Sequence, residues 1–184
     1  MQKTWSSLVK KNFNAAALNY NESALIQRST ALKLAKICSQ HPINNGLWVD
    51  LGSGTGLLAK SLEVLHPSQN VLRLDNSKQM IDQHSGKDPK QLWDLNNGLP
   101  KWPRKPSLLA SSFALHWLDN PQEQLREWFY SLSTDGWIAL AIPIKGSFPE
   151  WYQAAEKANL TCTALDLPSH DSLIRVVPNQ SIIY

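Results

Sequence analysis

Charge is scarce in this sequence. Lys, Arg, Asp and Glu make up 18% of it and balance to a formal net charge of +3 at pH 7. A dedicated nucleic-acid binder gathers its basic excess into a stripe. Here the basic residues are scattered, in short pairs such as Lys10-Lys11 and Arg104-Lys105, as on an ordinary solvated surface. No nucleic-acid partner is expected. Cysteine is scarcer still. Cys38 and Cys162 lie far apart and share no metal-ligand spacing, so neither a metal site nor a disulfide is expected, and the compartment should be reducing. Long apolar runs are missing as well. None approaches the roughly 18 residues of a membrane span. The opening MQKTWSSLVKKNF holds no apolar stretch of signal-peptide length. A cytoplasmic protein with no membrane partner is expected. There is no internal repeat and no low-complexity linker.

What is present is a folding composition. Hydrophobic residues make up 42% of 184 residues, a length suited to one core. The 8 Trp are many for this length. Some belong in a core, but indole also lines pockets for cationic or flat ligands.

Helical patterns run over residues 6–19 and 22–40, the second placing Leu25, Leu32, Ala35 and Cys38 on one face. Pro42 and Asn44-Asn45-Gly46 break the chain before Leu47–Leu51, a short apolar strand ending at glycine. A helix over 56–65, a strand over 70–74 and a short helix over 77–84, capped by Ser77, follow. Residues 91–93 and 107–111 read as strands, separated by a proline-rich loop over 98–106. Pro121 opens a helix over 121–133, strand 137–142 ends at Pro143, and a last helix spans 150–158. Alternation of this kind predicts right-handed βαβ units and a parallel sheet. Ligands in such sheets bind beyond the carboxyl ends of the strands. The chemistry is therefore expected after Leu51, Leu74, Trp93 and Ser111.

The sharpest motif is Asp50-Leu51-Gly52-Ser53-Gly54-Thr55-Gly56. A strand runs through alternating glycines into a helix. Backbone can approach a ligand there, and the helix start offers free N–H groups. The spacing is G-x-G-x-G, not the G-x-G-x-x-G of a dinucleotide site. Acids also follow the next two strands, Asp75 after the second and Asp94 after the third. A carboxylate at the end of the second strand suits ribose hydroxyls.

The glycine motif resembles motif I of class I methyltransferases. The resemblance tightens in Val9-Lys10-Lys11-Asn12-Phe13-Asn14-Ala15-Ala16-Ala17-Leu18-Asn19-Tyr20, in Leu74-Asp75-Asn76-Ser77, in Ser111-Ser112-Phe113-Ala114-Leu115-His116-Trp117 and in Gly146-Ser147-Phe148-Pro149-Glu150. These runs are similar to those of the biotin-pathway malonyl-acyl-carrier-protein O-methyltransferases. The resemblance implies S-adenosylmethionine as cofactor, and α/β architecture of the Rossmann-like class I type, with a mostly parallel sheet and helices on both faces. It implies one domain over 1–184, with 1–45 as a helical lid and 46–184 as the cofactor-binding core. Family members end in an antiparallel pair of strands; here Ser181-Ile182-Ile183-Tyr184 reads as the beginning of such a strand, without its completion.

The cofactor residues expected are Asp50, Gly52, Ser53, Gly54, Gly56, Asp75, Asn76, Asp94, Leu95 and Ser111. The acceptor-site candidates are Tyr20, His116 and Trp117, with Phe13 beside them. The acceptor implied is the free carboxylate of malonyl-acyl-carrier protein. A carboxylate with a pKa near 4 is ionised at neutral pH and needs no general base. His41, His66, His84 and His170 read as surface or structural. Two alternatives stand: a methyltransferase for another small carboxylic acid, such as an aconitate-like one, and a cofactor-binding protein without catalysis.

Overall fold

A computed structural model describes residues 5–178. Its centre is a five-stranded sheet of β1 (Trp48–Leu51), β2 (Val71–Asp75), β3 (Lys90–Leu92), β4 (Leu108–Ser112) and β5 (Trp137–Ala141). The order is β3-β2-β1-β4-β5, and every neighbouring pair is parallel. The chain winds outward from β1 through β2 to β3, then returns to the far side of β1 for β4 and β5. That reversal leaves a crevice above the carboxyl ends of β1 and β4, where a ligand can enter without parting packed helices.

Eight helices surround the sheet among the described residues: α1 (Trp5–Ala16), α2 (Tyr20–Ser23), α3 (Leu25–Cys38), α4 (Leu57–Leu65), α5 (Lys78–Ile81), α6 (Pro121–Ser131), α7 (Pro149–Lys157) and α8 (His170–Ile174). The core has two layers. Ala31, Leu34, Ala35 and Cys38 of α3 pack with Leu58, Ala59 and Leu62 of α4 on one face. Leu125 and Trp128 of α6 and Leu173 of α8 cover the other. Trp48 and Trp128 are fully enclosed, so part of the tryptophan content is core. Among the described residues no helix is long and apolar enough to cross a membrane.

The structure corrects two helical expectations. The patterns over 6–19 and 22–40 form three helices rather than two. Ala17 and Ala24 interrupt them, and both are buried, so close packing rather than helix propensity bends the chain there. The buried face of α3 is the expected one at Ala35 and Cys38 but not at Leu25 and Leu32. Leu25 and Leu32 are 69% and 45% exposed, whereas Ala31, Leu34, Ala35 and Cys38 face inward. The face that packs on α4 is set by the placement of the whole helix rather than by the size of its single residues. Helices α1, α2 and α3 all border the crevice, α3 through Gln27 and Ala31. Ser77 caps α5 as expected, accepting the Met80 N–H at 3.1 Å. Residues 181–184, read as the start of a further strand, lie outside the described residues.

Candidate cofactor and acceptor site

The loop after β1 is shaped by contacts on both sides. A Cβ on Gly52 would stand 2.3 Å from the Cβ of Ala114, so the loop after β4 leaves no room for a side chain. Gly54 has φ of +52°, and a Cβ there would meet nothing within 4 Å. Glycine is required at Gly54 by its backbone, and its Cα faces open space. The Ser53 N–H donates to the Leu74 carbonyl at 2.8 Å. The Gly54 N–H donates to Asp75 Oδ2 at 2.9 Å, and the Ser77 N–H to Asp75 Oδ1 at 2.8 Å. Asp75 is thereby oriented by two backbone groups. Burial raises its pKa, against those hydrogen bonds. Asp50 is fully buried and accepts the Ala59 N–H of α4 at 3.0 Å. Burial pushes its pKa up to about 7, opposed by that bond and by Arg73.

A cavity opens beyond these strand ends. Helices α1 and α2 roof it with Phe13 and Tyr20. The Phe13 ring meets Trp117 edge-on at 5.8 Å and lies 6.2 Å from Tyr20. Three polar links hold the roof to three strand-end loops. Ser77 Oγ bonds Asn14 Oδ1 at 2.6 Å, Thr55 Oγ1 bonds Asn21 Oδ1 at 2.6 Å, and Asn96 Nδ2 donates to Ser6 Oγ at 3.3 Å. Burial, then the nearby Asp75 charge, raises the pKa of the Tyr20 phenol.

Most residues singled out from the sequence line this cavity. Asp50, Gly52, Ser53, Gly54, Asp75, Asn76, Leu95, Tyr20 and Trp117 all border it. Four stand back from it. Gly56 begins α4 behind the loop. Asp94 caps the short turn Leu95–Asn97, accepting the Asn96 N–H at 3.0 Å, and thus sets the positions of Leu95 and Asn96. Ser111 turns its hydroxyl to the Leu51 carbonyl at 2.9 Å and joins β4 to β1. Its neighbour Ser112 lines the cavity instead, because successive strand residues point to opposite faces. Asn96 also lines it and was not anticipated; its signal, an amide two residues after Asp94, is too common to read.

His116 faces a second, polar cleft that meets the first at Leu118 and is bordered by Gln122, Lys145, Asp166 and Ser172. The ring is 7% exposed, and its Nδ1 has no hydrogen-bond partner among the described residues. Burial lowers its pKa to about 4, so the imidazole is neutral at physiological pH.

A family model described as a methyltransferase domain matches residues 49–140, the segment from β1 to β5. The chain belongs to the methyltransferase domain family. It is 27% identical over 175 residues to the malonyl-[acyl-carrier protein] O-methyltransferase of Alcanivorax borkumensis, covering 92% of this chain. The chain spans 59% of that relative's length. It is 31% identical over 112 residues to the trans-aconitate 2-methyltransferase of Mycobacterium tuberculosis, covering 60% of this chain and 41% of that one. Its fold is similar to the crystal structure of an S-adenosylmethionine-dependent methyltransferase from Thermotoga maritima. The TM-score there is 0.61 and the identity 17%, over 89% of this chain and 76% of that one. The cofactor that family and fold imply is S-adenosylmethionine.

The residues of this methyltransferase domain fit that group. Ser53 Oγ and Ser112 Oγ are buried at the cavity wall without a partner among the described residues. Buried hydroxyls of this kind are normally satisfied. An amino acid, a ribose and an adenine supply acceptors for them, and supply donors for Asp50 and Asp75.

Proposed function

We propose that this chain is an S-adenosylmethionine-dependent O-methyltransferase acting on the free carboxylate of malonyl-acyl-carrier protein. The observation that carries this reading is the pairing of Trp117 with a buried, neutral His116 at the junction of the cofactor cavity and the second cleft. When bound, S-adenosylmethionine supplies an electrophilic methyl group on a positively charged sulfur. The chain's own residues bind, orient and dry the site. Asp75, held by Gly54 and Ser77, accepts from ribose hydroxyls. Leu95 and Asn96, placed by Asp94, bound the adenine end. Phe13, Tyr20 and Trp117 exclude water where opposite charges must meet, which favours their mutual neutralisation. Holding both partners together supplies at best about 7–11 kcal/mol. His116, neutral at pH 7, donates one hydrogen bond to the acceptor without protonating its carboxylate.

A carrier-bound acyl group enters on an extended arm, and the second cleft, which shares Leu118 with the cofactor cavity, gives such an arm room beside His116. A small polycarboxylate is the competing acceptor, favoured by the trans-aconitate relative. A cofactor-binding protein without catalysis is the reading from another class.

Calorimetric titration with S-adenosylhomocysteine, followed by methyl transfer to malonyl-carrier protein and to trans-aconitate, separates the three. Transfer to the carrier-bound group is the expected result. Transfer to free aconitate alone would replace the acceptor. Binding without transfer would leave a non-catalytic binder, and no binding by a folded sample would overturn the site.

A further inference from the structure

His84, read as surface or structural in the sequence, is of the second kind: its side chain lies against the loop after β1 and is only 5% exposed. Its Nε2 stands 2.9 Å from the carbonyl oxygen of Gly54. A carbonyl can only accept, so Nε2 carries the hydrogen and Nδ1 keeps a lone pair. Nδ1 is buried without a partner among the described residues, and so is the Nε–H of Arg73. Both border one space. A Cβ on Gly56 would stand 2.8 Å from His84 Nδ1 and 3.5 Å from Arg73 Nε. An unpaired acceptor and an unpaired donor thus face the gap that glycine leaves. Arg73 is itself fixed: NH1 and NH2 donate to Glu63 at 3.0 and 2.6 Å, and NH1 also donates to the Val71 carbonyl at 2.7 Å.

Gly54 is therefore gripped at both ends of its residue. Its N–H is on Asp75 and its carbonyl on His84. We propose that His84, as the Nε2–H tautomer set against Arg73, is a positioning residue that locks the cofactor loop and keeps Gly54 on the ribose-binding Asp75. This rests on the cofactor reading above. It adds a group that the glycine motif does not contain, placed 30 residues downstream of Gly54.

The lock is sensitive to acid. The charged groups around the ring are Arg73 of β2, Lys60 of α4 and Asp88 of the segment before β3, while Lys90 Nζ of β3 donates to the His84 carbonyl at 3.0 Å. Burial is the largest influence and lowers the ring's pKa; the Gly54 carbonyl raises it, Arg73 and Lys60 lower it, and Asp88 raises it. Protonation would place a second N–H at Nδ1, toward the guanidinium of Arg73. A charged ring is disfavoured there, and acidification loosens the loop.

The test is S-adenosylhomocysteine affinity by calorimetry from about pH 8 to about pH 5 for the wild type, His84→Gln and His84→Phe. Glutamine keeps a donor and does not titrate. Phenylalanine fills the space and cannot donate. At neutral pH we expect His84→Gln within about threefold of wild type and His84→Phe about tenfold weaker. On acidification the wild type should lose affinity relative to His84→Gln, by about tenfold at the acid end. Asp50 and Asp75 titrate in both proteins, so the ratio isolates His84. Matching pH profiles for wild type and His84→Gln, or full affinity in His84→Phe, would overturn the proposal.

Long-range 1H–15N spectra of the wild-type ring provide a measurement that depends on no variant. An Nε2–H tautomer at neutral pH is expected; an Nδ1–H tautomer or an imidazolium would refute the lock. If no protein binds S-adenosylhomocysteine, the cofactor reading fails, and the tautomer still decides whether His84 holds Gly54.

Discussion

The carboxylate of Asp75 accepts the N–H of Gly54 at 2.9 Å, so the end of β2 sets the loop that follows β1. Two motifs 21 residues apart in sequence are one mechanical unit. Replacing Asp75 by alanine removes the proposed ribose acceptor and strands the N–H groups of Gly54 and Ser77. Each stranded buried donor costs about 1–3 kcal/mol. Asp75→Ala should bind S-adenosylhomocysteine at least about tenfold more weakly and melt at lower temperature, read by calorimetry and thermal denaturation. Undiminished binding would refute the ribose placement.

Adjacent serines at the end of β4 should behave oppositely. Ser111 Oγ donates to Leu51 inside the sheet, whereas Ser112 Oγ is at the cavity wall without a partner among the described residues. Ser111→Ala should cost about 1 kcal/mol of stability and leave cofactor affinity intact. Ser112→Ala should weaken affinity and leave the urea midpoint unchanged.

Asp50 makes stability depend on pH. Its folded pKa, about 7, lies above the ordinary aspartate value of 3.8, chiefly through burial. The folded state therefore holds the proton more tightly than the unfolded chain between those values. Stability from this group is complete below the lower value, falls as pH rises toward 7, and levels off above it, by up to roughly 4 kcal/mol. Asp50→Asn keeps an acceptor for Ala59 and removes the titration. Urea denaturation of both proteins across this range should show the wild type alone losing this increment. Parallel curves would show that Asp50 ionises normally.

Phe13 and Trp117 should couple. Their edge-on contact joins the roof to the loop after β4. A double-mutant cycle with alanine at both positions should give about 0.5–1.5 kcal/mol in S-adenosylhomocysteine binding. Additive effects would mean that the roof is held without this contact.

The polar links of the roof should govern release. Asn14 and Asn21 each bond a hydroxyl of a cofactor loop at 2.6 Å. Asn14→Ala and Asn21→Ala should speed dissociation in stopped-flow measurements more than they slow association. These bonds hold a closed roof and do not attract the ligand.

Local pattern sufficed for the frame. Short apolar strands, breakers between them, and acids placed just after successive strands are features of a few consecutive residues, and the parallel sheet follows from their alternation. The glycine motif was legible for the same reason: its backbone demands are met or refused by the residues themselves. Elsewhere, position depended on what came to lie alongside. Leu25 and Leu32 are large apolar residues of α3, yet Ala31, Leu34, Ala35 and Cys38 are the ones that face the core, because the packing of α3 on α4 sets which face is covered. Ser111 and Ser112 are identical in type, and the strand's phase, off by one residue in the sequence reading, decided which of them lines the cavity. His84 carries no local sign of function, since its partner lies 30 residues away and becomes a neighbour only when β1 and β2 pair. What the sequence determined by itself was the order of elements and the loops that must bend. Which side chains hold those loops in place depends on how the strands and helices pack, because such contacts join residues that are distant along the chain.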